Sequence, residues 1–474
     1  MKHNSEESNS TAPLRVPRRR VLLAGLTAGA GSVLLSGAKA LAARSSITAF
    51  NPPAARPPRP WSRWTGYPPG VPGRDYRPAF VPNGAKLPYK LVDGVKVFHL
   101  RAEEITHRIG GNLYARVWGY NGRMPGPVIE VVQGDKVRIF VTNKLPVKTS
   151  VHWHAIILPN GMDGVSVITQ PAIEPGETGM YEFIFPDHGT FMYHPHFDNM
   201  TQEGMGLTGM IVVHPRRPDR PQPTRDFVLM LHEWFIEGGT ARPNPFVMTD
   251  FNILTMNGKV FPDTYPCVAE LGDRVWMRWG NLSPMDHHPI HLHGYAFKVI
   301  ATDGGPIAES AQIPETTVLV HVGSTRTIEF YADNPGDWLC HCHMTHHTMN
   351  QMGHDIPNTI GVDTGDLDKR IRRLLPDYMT MGKTGMGDMA DMKMPIPENS
   401  IPMYGVEGQF GQNVMGGMAT LVKVREKTNG YKDPGWYEFP PKTVSRAATP
   451  EQLRAHDIDP DADLAQPDMN ETFT

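Results

Sequence analysis

The sequence predicts an all-β protein built from two copies of one domain. Three observations carry this: 46 glycines and 45 prolines among 474 residues, short β-branched runs bounded by turn residues, and an internal repeat that relates one group of runs to another. Glycine and proline at that density break a chain into short segments and disfavour long helices. The length has room for roughly two to four domains. Charged residues make up 20% of the chain and the formal net charge is -3, so there is no electrostatic case for nucleic acid or an anionic membrane surface.

Residues 1–42 read as an export signal. Pro17-Arg18-Arg19-Arg20 precedes an uncharged stretch from Val21 to Ser36, then small-x-small sites at Ala38-Lys39-Ala40 and Ala40-Leu41-Ala42. The consecutive arginines point to the twin-arginine route and a periplasmic or extracellular protein. A stable membrane anchor is not expected, because the apolar run is short and rich in Gly, Ser and Thr. Residues 43–84 form a proline-rich arm (Pro52-Pro53, Pro57-Pro58, Pro68-Pro69). Residues 85–216 are the first β domain, with strands expected at Lys96–Leu100, Val128–Val132, Lys136–Val141 and Met210–Val213. Residues 217–426 are the second, with strands at Phe227–Leu231, Arg274–Arg278, Ala296–Ile300, Thr327–Tyr331 and Ala419–Val424. Asp366 to Leu375 reads as a short helix with Asp366 as N-cap. Residues 427–474 are a tail.

The repeat carries the chemistry. Asn121-Gly122 and Gly134-Asp135-Lys136-Val137 correspond to Asn257-Gly258 and Gly272-Asp273-Arg274-Val275. His152-Trp153-His154 corresponds to His291-Leu292-His293, and Gly189 to His196 corresponds position for position to Gly336 to His343. Each copy therefore holds two His-x-His pairs. Alternate side chains of a strand share a face, so both histidines of such a pair project to one side and two neighbouring strands present four imidazoles. The second copy adds His288, Cys342, His347 and Met352. Two imidazoles, a thiolate and a weak thioether are the ligand set of a blue-copper electron-transfer site. Cys342 points away from His341 and His343, so one residue of backbone joins that site to the imidazole cluster. In the first copy Thr149 and Pro195 stand where His288 and Cys342 stand in the second.

These segments, with Asn121-Gly122-Arg123-Met124-Pro125-Gly126-Pro127 and His288-Pro289-Ile290-His291-Leu292-His293-Gly294, resemble a multicopper oxidase of the laccase type over roughly residues 90 to 355. The resemblance implies two cupredoxin-like Greek-key barrels or sandwiches and four coppers per subunit. His152 and His291 would hold type 2 copper. His154, His194, His196, His293, His341 and His343 would hold the type 3 pair, and His288, Cys342, His347 and Met352 type 1 copper. About ninety residues separate His196 from His288, too few for a middle domain. The chain is thus similar to the two-domain group with type 1 copper in the second domain, in which the trinuclear site lies between neighbouring chains and three chains close a ring. The implied reaction is one-electron oxidation of a reductant, a phenolic compound or a metal ion such as Cu(I), coupled to reduction of O2 to water. Electrons leave type 1 copper through Cys342.

Asp163 matches a family acid that orients water near type 2 copper; a plain turn Asp before Gly164 is its alternative. Thr348 stands where some relatives carry a glutamate, and Ala155 where a glycine is usual. His287 and His346 flank the ligands, either as reductant-facing groups or as bystanders. His188, His214, His232, His321 and His354 lack paired spacing and read as structural. Cys267 and Cys340 either pair or are buried thiols. A methionine-rich excursion, about 376–416, either feeds cuprous ion to type 1 copper or is a flexible lid. Two alternatives follow: a periplasmic copper-binding or copper-tolerance protein without turnover, and a copper nitrite reductase, which needs far fewer histidines.

Overall fold

The computed structural model describes residues 66–351, 362–376, 396–403 and 407–462. The export signal, most of the proline-rich arm, Met352, His354 and the methionines from Met379 to Met394 lie outside the described residues.

The first domain comprises β1 (Tyr89–Val92), β2 (Val95–Gly110), β3 (Leu113–Tyr120), β4 (Gly126–Val132), β5 (Lys136–Asn143), β6 (His152–His154), β7 (Thr178–Ile184), β8 (Gly189–His194), α1 (Asn199–Gly204) and β9 (Gly209–His214). One sheet runs β1-β2-β5-β7 with β3 on β2, and the other β4-β9-β8-β6. Inward-facing residues fill the space between them, among them Leu100, Val131, Ile139, Trp153 and Ile211.

The second domain comprises β10 (Arg225–Trp234), β11 (Ile253–Met256), β12 (Cys267–Glu270), β13 (Arg274–Asn281), β14 (His288–Leu292), β15 (Phe297–Thr302), β16 (Gly305–Pro306), β17 (Pro314–Glu315), β18 (Thr317–Val320), β19 (Ser324–Tyr331) and β20 (Gly336–Cys342). After them come α2 (Leu367–Leu374), β21 (Glu407–Gly408), β22 (Gly411–Gln412), β23 (Ala419–Arg425) and α3 (Pro450–Ala455). Its sheets run β11-β10-β13-β19-β15-β16 and β12-β23-β20-β14-β18.

Pairing confirms the duplication at the level of topology. β2 runs parallel to β5 as β10 does to β13, and β4 parallel to β9 as β12 does to β23. β6 is antiparallel to β8 as β14 is to β20, and the registers match: His152 lies opposite His194, and His291 opposite His341.

Every expected strand is present. The helix at 366 also forms, but the Asp366 side chain makes no capping bond. Helix α1 was not foreseen, since six residues carry no readable 3.6 period. The described part of the arm packs rather than dangles: Ala79 N–H donates to Glu130, and Phe80 stacks on Tyr431 with ring centroids 4.2 Å apart. Tyr431 belongs to the tail, so arm and tail meet over the second domain.

Candidate metal centres

Strand alternation divides β14 between two sites. His288 and His291 are three residues apart, an odd separation that sends them to opposite faces. His288 is fully buried, whereas His291 is half-exposed. Strand β20 does the same, with Cys342 buried in the core and His341 on the outer face.

On the core side, His288 Nδ1 lies 3.2 Å from His347 Nδ1, and Cys342 Sγ lies 3.9 Å and 3.5 Å from those two atoms. The centre of such a triangle is about 2 Å from each corner, the distance at which a d-block ion binds nitrogen and sulfur. The donors are prepared for a cation. Burial, with His347 opposite, holds His288 down at about 3, so it is a neutral imidazole at neutral pH. Burial also pushes the Cys342 thiol up to about 12, so a thiolate forms there only with a positive charge beside it. The outer nitrogens are anchored: His288 Nε2 is 2.7 Å from Ser283 Oγ, and His347 Nε2 is 3.5 Å from the Asp286 carboxylate. Glu233, completely buried, accepts from the N–H groups of Met285 and Asp286 and so fixes the loop leading into His288. Burial and the neighbouring Asp286 carboxylate raise the Glu233 pKa well above the usual range.

The corresponding place in the first domain is filled. Thr149, fully buried, donates to Gln202 Oε1 at 2.7 Å, and Gln202 Nε2 donates to the Lys148 carbonyl at 2.8 Å.

On the outer faces each copy presents four imidazoles. In the first, His152 has ring centroids 5.6, 5.4 and 5.5 Å from those of His154, His194 and His196. His152 Nδ1 donates to the Asp163 carbonyl at 2.7 Å, which leaves Nε2 for a metal. The Asp163 carboxylate is 3.5 Å from the same nitrogen, so Asp163 touches His152 through both its backbone and its side chain. His154 Nδ1 faces His194 Nε2 at 3.2 Å. Burial, with His194 and His152 beside it, lowers His154 to about 4. His194 Nδ1 donates to Glu203 at 2.7 Å and to its own Pro195 carbonyl at 2.9 Å. Burial alone would lower His194, but the Glu203 carboxylate outweighs it and raises its pKa.

In the second copy His291 Nδ1 donates to the Thr316 carbonyl at 2.7 Å, His293 Nε2 faces His341 Nε2 at 3.2 Å, and the His341 and His343 rings are 5.6 Å apart. His341 Nδ1 has the Cys342 carbonyl as acceptor, and among the described residues no carboxylate stands there as Glu203 does for His194. His293 and His343 are exposed. Among the described residues no ring contact or hydrogen bond joins the first four imidazoles to the second four.

Two profiles described as multicopper oxidase match residues 101–218 and 239–361. The chain belongs to the multicopper oxidases. Copper resistance protein A of Pseudomonas syringae pv. tomato is 40% identical over 232 residues, which is 39% of this chain and 38% of that protein. Copper resistance protein A of Escherichia coli is 28% identical over 232 residues with the same shares. Among solved structures, the blue copper oxidase of Nitrosomonas europaea aligns with a TM-score of 0.51 and 26% identity, over 73% of this chain and 91% of that one. This multicopper oxidase chain therefore spans less than two fifths of the length of those curated relatives. Copper is the cofactor that its donor sets suit.

Of the residues singled out from sequence, eleven of the twelve ligand positions are described; six form two close donor groups, His152, His154 and His194, and His288, Cys342 and His347, while His196, His291, His293, His341 and His343 sit beside other site imidazoles through ring contacts, and Met352 lies outside the described residues. His346 is exposed, and His287 accepts from the Val322 N–H at 3.0 Å. His214 bonds Glu130, and His232 bonds the Leu282 carbonyl. Cys267 and Cys340 are free buried thiols. They sit on β12 and β20 with β23 between them, opposite Val422 and Thr420 respectively, so two strand spacings alone put their Cα atoms at least about 9–10 Å apart, beyond disulfide reach. Glu203, Glu233, Asp286 and Ser283 went unnoticed in the sequence. Only Glu233 left a trace there, as an acid that closes an apolar strand. Ala155, where a glycine is usual, has φ 67°, which explains that preference.

Proposed function

We propose that the chain is an oxidase that couples one-electron oxidation of a reductant to four-electron reduction of O2 to two waters. The observation that carries this reading is one sheet with a Cys-His-His triad on its inner face and imidazoles of the adjacent residues on its outer face. His288, Cys342 and His347 would hold type 1 copper, with Met352 as its axial partner; His152 and His291 type 2; and His154, His194, His196, His293, His341 and His343 the type 3 pair. Bound copper supplies reversible one-electron chemistry and a binding place for O2. The protein favours the neutral form of His152, His154, His288, His293 and His341 by burial, orients His152, His291, His194 and His341 through the Asp163, Thr316, Pro195 and Cys342 carbonyls, and joins the two sites through the Cys342 backbone. Asp163, whose carboxylate lies 3.5 Å from His152 Nδ1, would orient water near type 2 copper. The reductant is a phenolic compound or a metal ion such as Cu(I).

Three chains would close a ring in which the first-domain imidazoles of one chain meet the second-domain imidazoles of the next. The separation of the two half-sites within one chain and the exposure of His293 and His343 support this. Export by the twin-arginine route rests on the arginine run at 18–20 and the apolar stretch after it. No helix of the described residues is long and apolar enough to cross a membrane.

Oxygen uptake with a phenolic dye and with Cu(I), at measured copper content, tests the reading. The expected result is one O2 consumed per four electrons delivered. A fully copper-loaded protein without oxygen uptake would instead be a copper-binding protein, and anaerobic turnover of nitrite in place of O2 would make it a nitrite reductase.

A further inference from the structure

The loop after Asp163 ends in two apolar side chains turned to solvent: Val167 is 84% exposed and Ile168 is 82% exposed. Water-facing apolar pairs at a loop tip are unfavourable unless something covers them. The loop is also built to hold them there. Val167 N–H donates to the Gln170 carbonyl at 2.7 Å, and Thr169 donates to the Val165 carbonyl through both N–H and Oγ1, at 2.9 and 3.0 Å. Gln170 Nε2 donates to Tyr181 Oη at 2.9 Å, and that hydroxyl accepts from the Val151 N–H at 3.0 Å. Tyr181 stands edge-on to Trp153, the residue between the two histidines of β6. The apolar tip is thus tied rigidly to the strand that carries His152 and His154. Val167 has φ 71°, a left-handed conformation that a β-branched residue rarely adopts.

A matching feature lies beside the other half-site. Leu319, 42% exposed, lies on β18 directly opposite Pro289 of β14, while Thr317 lies opposite His291. Cross-strand partners and residues two apart share a sheet face, so Leu319 shares the face that bears His291 and His341. Met344, 42% exposed, follows His343 directly. Each half-site therefore has an exposed apolar neighbour, and the two neighbours differ.

We propose that Val167 and Ile168 of one chain are the anchor that seats on the face around Leu319 and Met344 of a second copy, bringing the two sets of four imidazoles together. This rests on the reading that the multinuclear site is shared between chains. Two unlike patches make a head-to-tail contact rather than a two-fold pair, and such contacts form a ring where the rotation between copies closes. The anchor sets assembly, and the core-side site of Cys342 does not depend on it.

The test uses the copper-loaded full chain in sizing with light scattering over a dilution series. The variants are Val167→Gly with Ile168→Ser, and separately Leu319→Ser. Glycine adopts the Val167 backbone conformation freely, so the loop is kept; Ile168→Gln alone removes half of the anchor without touching Val167 and is expected to dissociate at an intermediate concentration, and retained thiolate-to-copper absorption reports folding in every variant. The wild type is expected to run at three chain masses. The double variant and Leu319→Ser are each expected to dissociate at a protein concentration at least tenfold higher, to keep the thiolate-to-copper absorption, and to lose the magnetic coupling of the type 3 pair on dilution. A wild-type trimer with variants equally tight overturns the anchor. A wild type that is monomeric with all coppers bound overturns the shared site itself.

Discussion

Glu203 is the residue that makes the duplicated half-sites unequal. Its carboxylate holds His194 Nδ1 at 2.7 Å, whereas His341, the same position in the second copy, has a carbonyl there. A carboxylate behind an imidazole fixes its tautomer and raises its basicity as a ligand, typically by about 10–100-fold in metal affinity. Glu203→Ala is therefore expected to weaken copper retention at the first-domain half-site by about that factor in chelator competition. Glu203→Gln, which keeps an acceptor but not the charge, should lose less, and the thiolate-to-copper absorption should be unchanged in both. The histidine pairs were legible in the sequence because strand alternation is a local rule: neighbours in a two-residue period must share a face. Glu203, Glu233 and Asp286 were not, because each reaches an imidazole through tertiary approach, from α1, from β10 and from the loop before β14.

Loops and strand ends set the sites at the next scale. Gly164 has φ 89°, and a Cβ there would sit 1.9 Å from the Val151 carbonyl oxygen, a backbone atom that cannot step aside. Gly164→Ala is expected to cost about 2 kcal/mol or more and to displace the Asp163 carbonyl from His152. A lowered thermal midpoint together with a lost type 2 copper signal would show it. On β2, His107 donates to the Gly258 carbonyl and ties the first domain to the hairpin turn of the second. Burial, with Lys259 nearby, lowers its pKa to about 4, so the fold favours the neutral ring. Its contribution is complete above the ordinary value near 6.5 and is lost as pH falls toward 4, roughly 1–3 kcal/mol in all. His107→Gln keeps a donor and removes the titration, so urea unfolding of that variant should lose less stability between pH 6.5 and 4 than the wild type does. The strands were legible because β-branched runs between turn residues need only local information. Helix α1 was not, although it carries both Gln202, which fills the first domain's place for a mononuclear site, and Glu203.

Across the whole molecule, the two domains are joined by buried apolar side chains, including Val128, Met192, Met210, Val228 and Met230, and by the arm and tail that meet at Phe80 and Tyr431. The ligand sets around Cys342 and around the paired imidazoles are assembled only in the folded chain, so copper binds the native state more tightly than the unfolded one. At free copper a hundred times the dissociation constant such a ligand adds about 2.7 kcal/mol. Chelation should therefore lower the thermal midpoint, and reloading should restore it. What covers the exposed half-site face was not legible from pattern alone, because periodicity assigns residues to faces but not faces to partners.

The exposed imidazoles that follow β14 and β20, His293 and His343, have one more consequence. If the multinuclear site is shared between chains as proposed, a single chain carries, at His291, His293, His341 and His343, an untagged equivalent of an affinity handle for divalent metals. Under the proposed ring assembly, dilute protein should be retained on immobilised nickel and concentrated protein should pass through, so the same column that purifies tagged proteins would sort single chains from assembled ones.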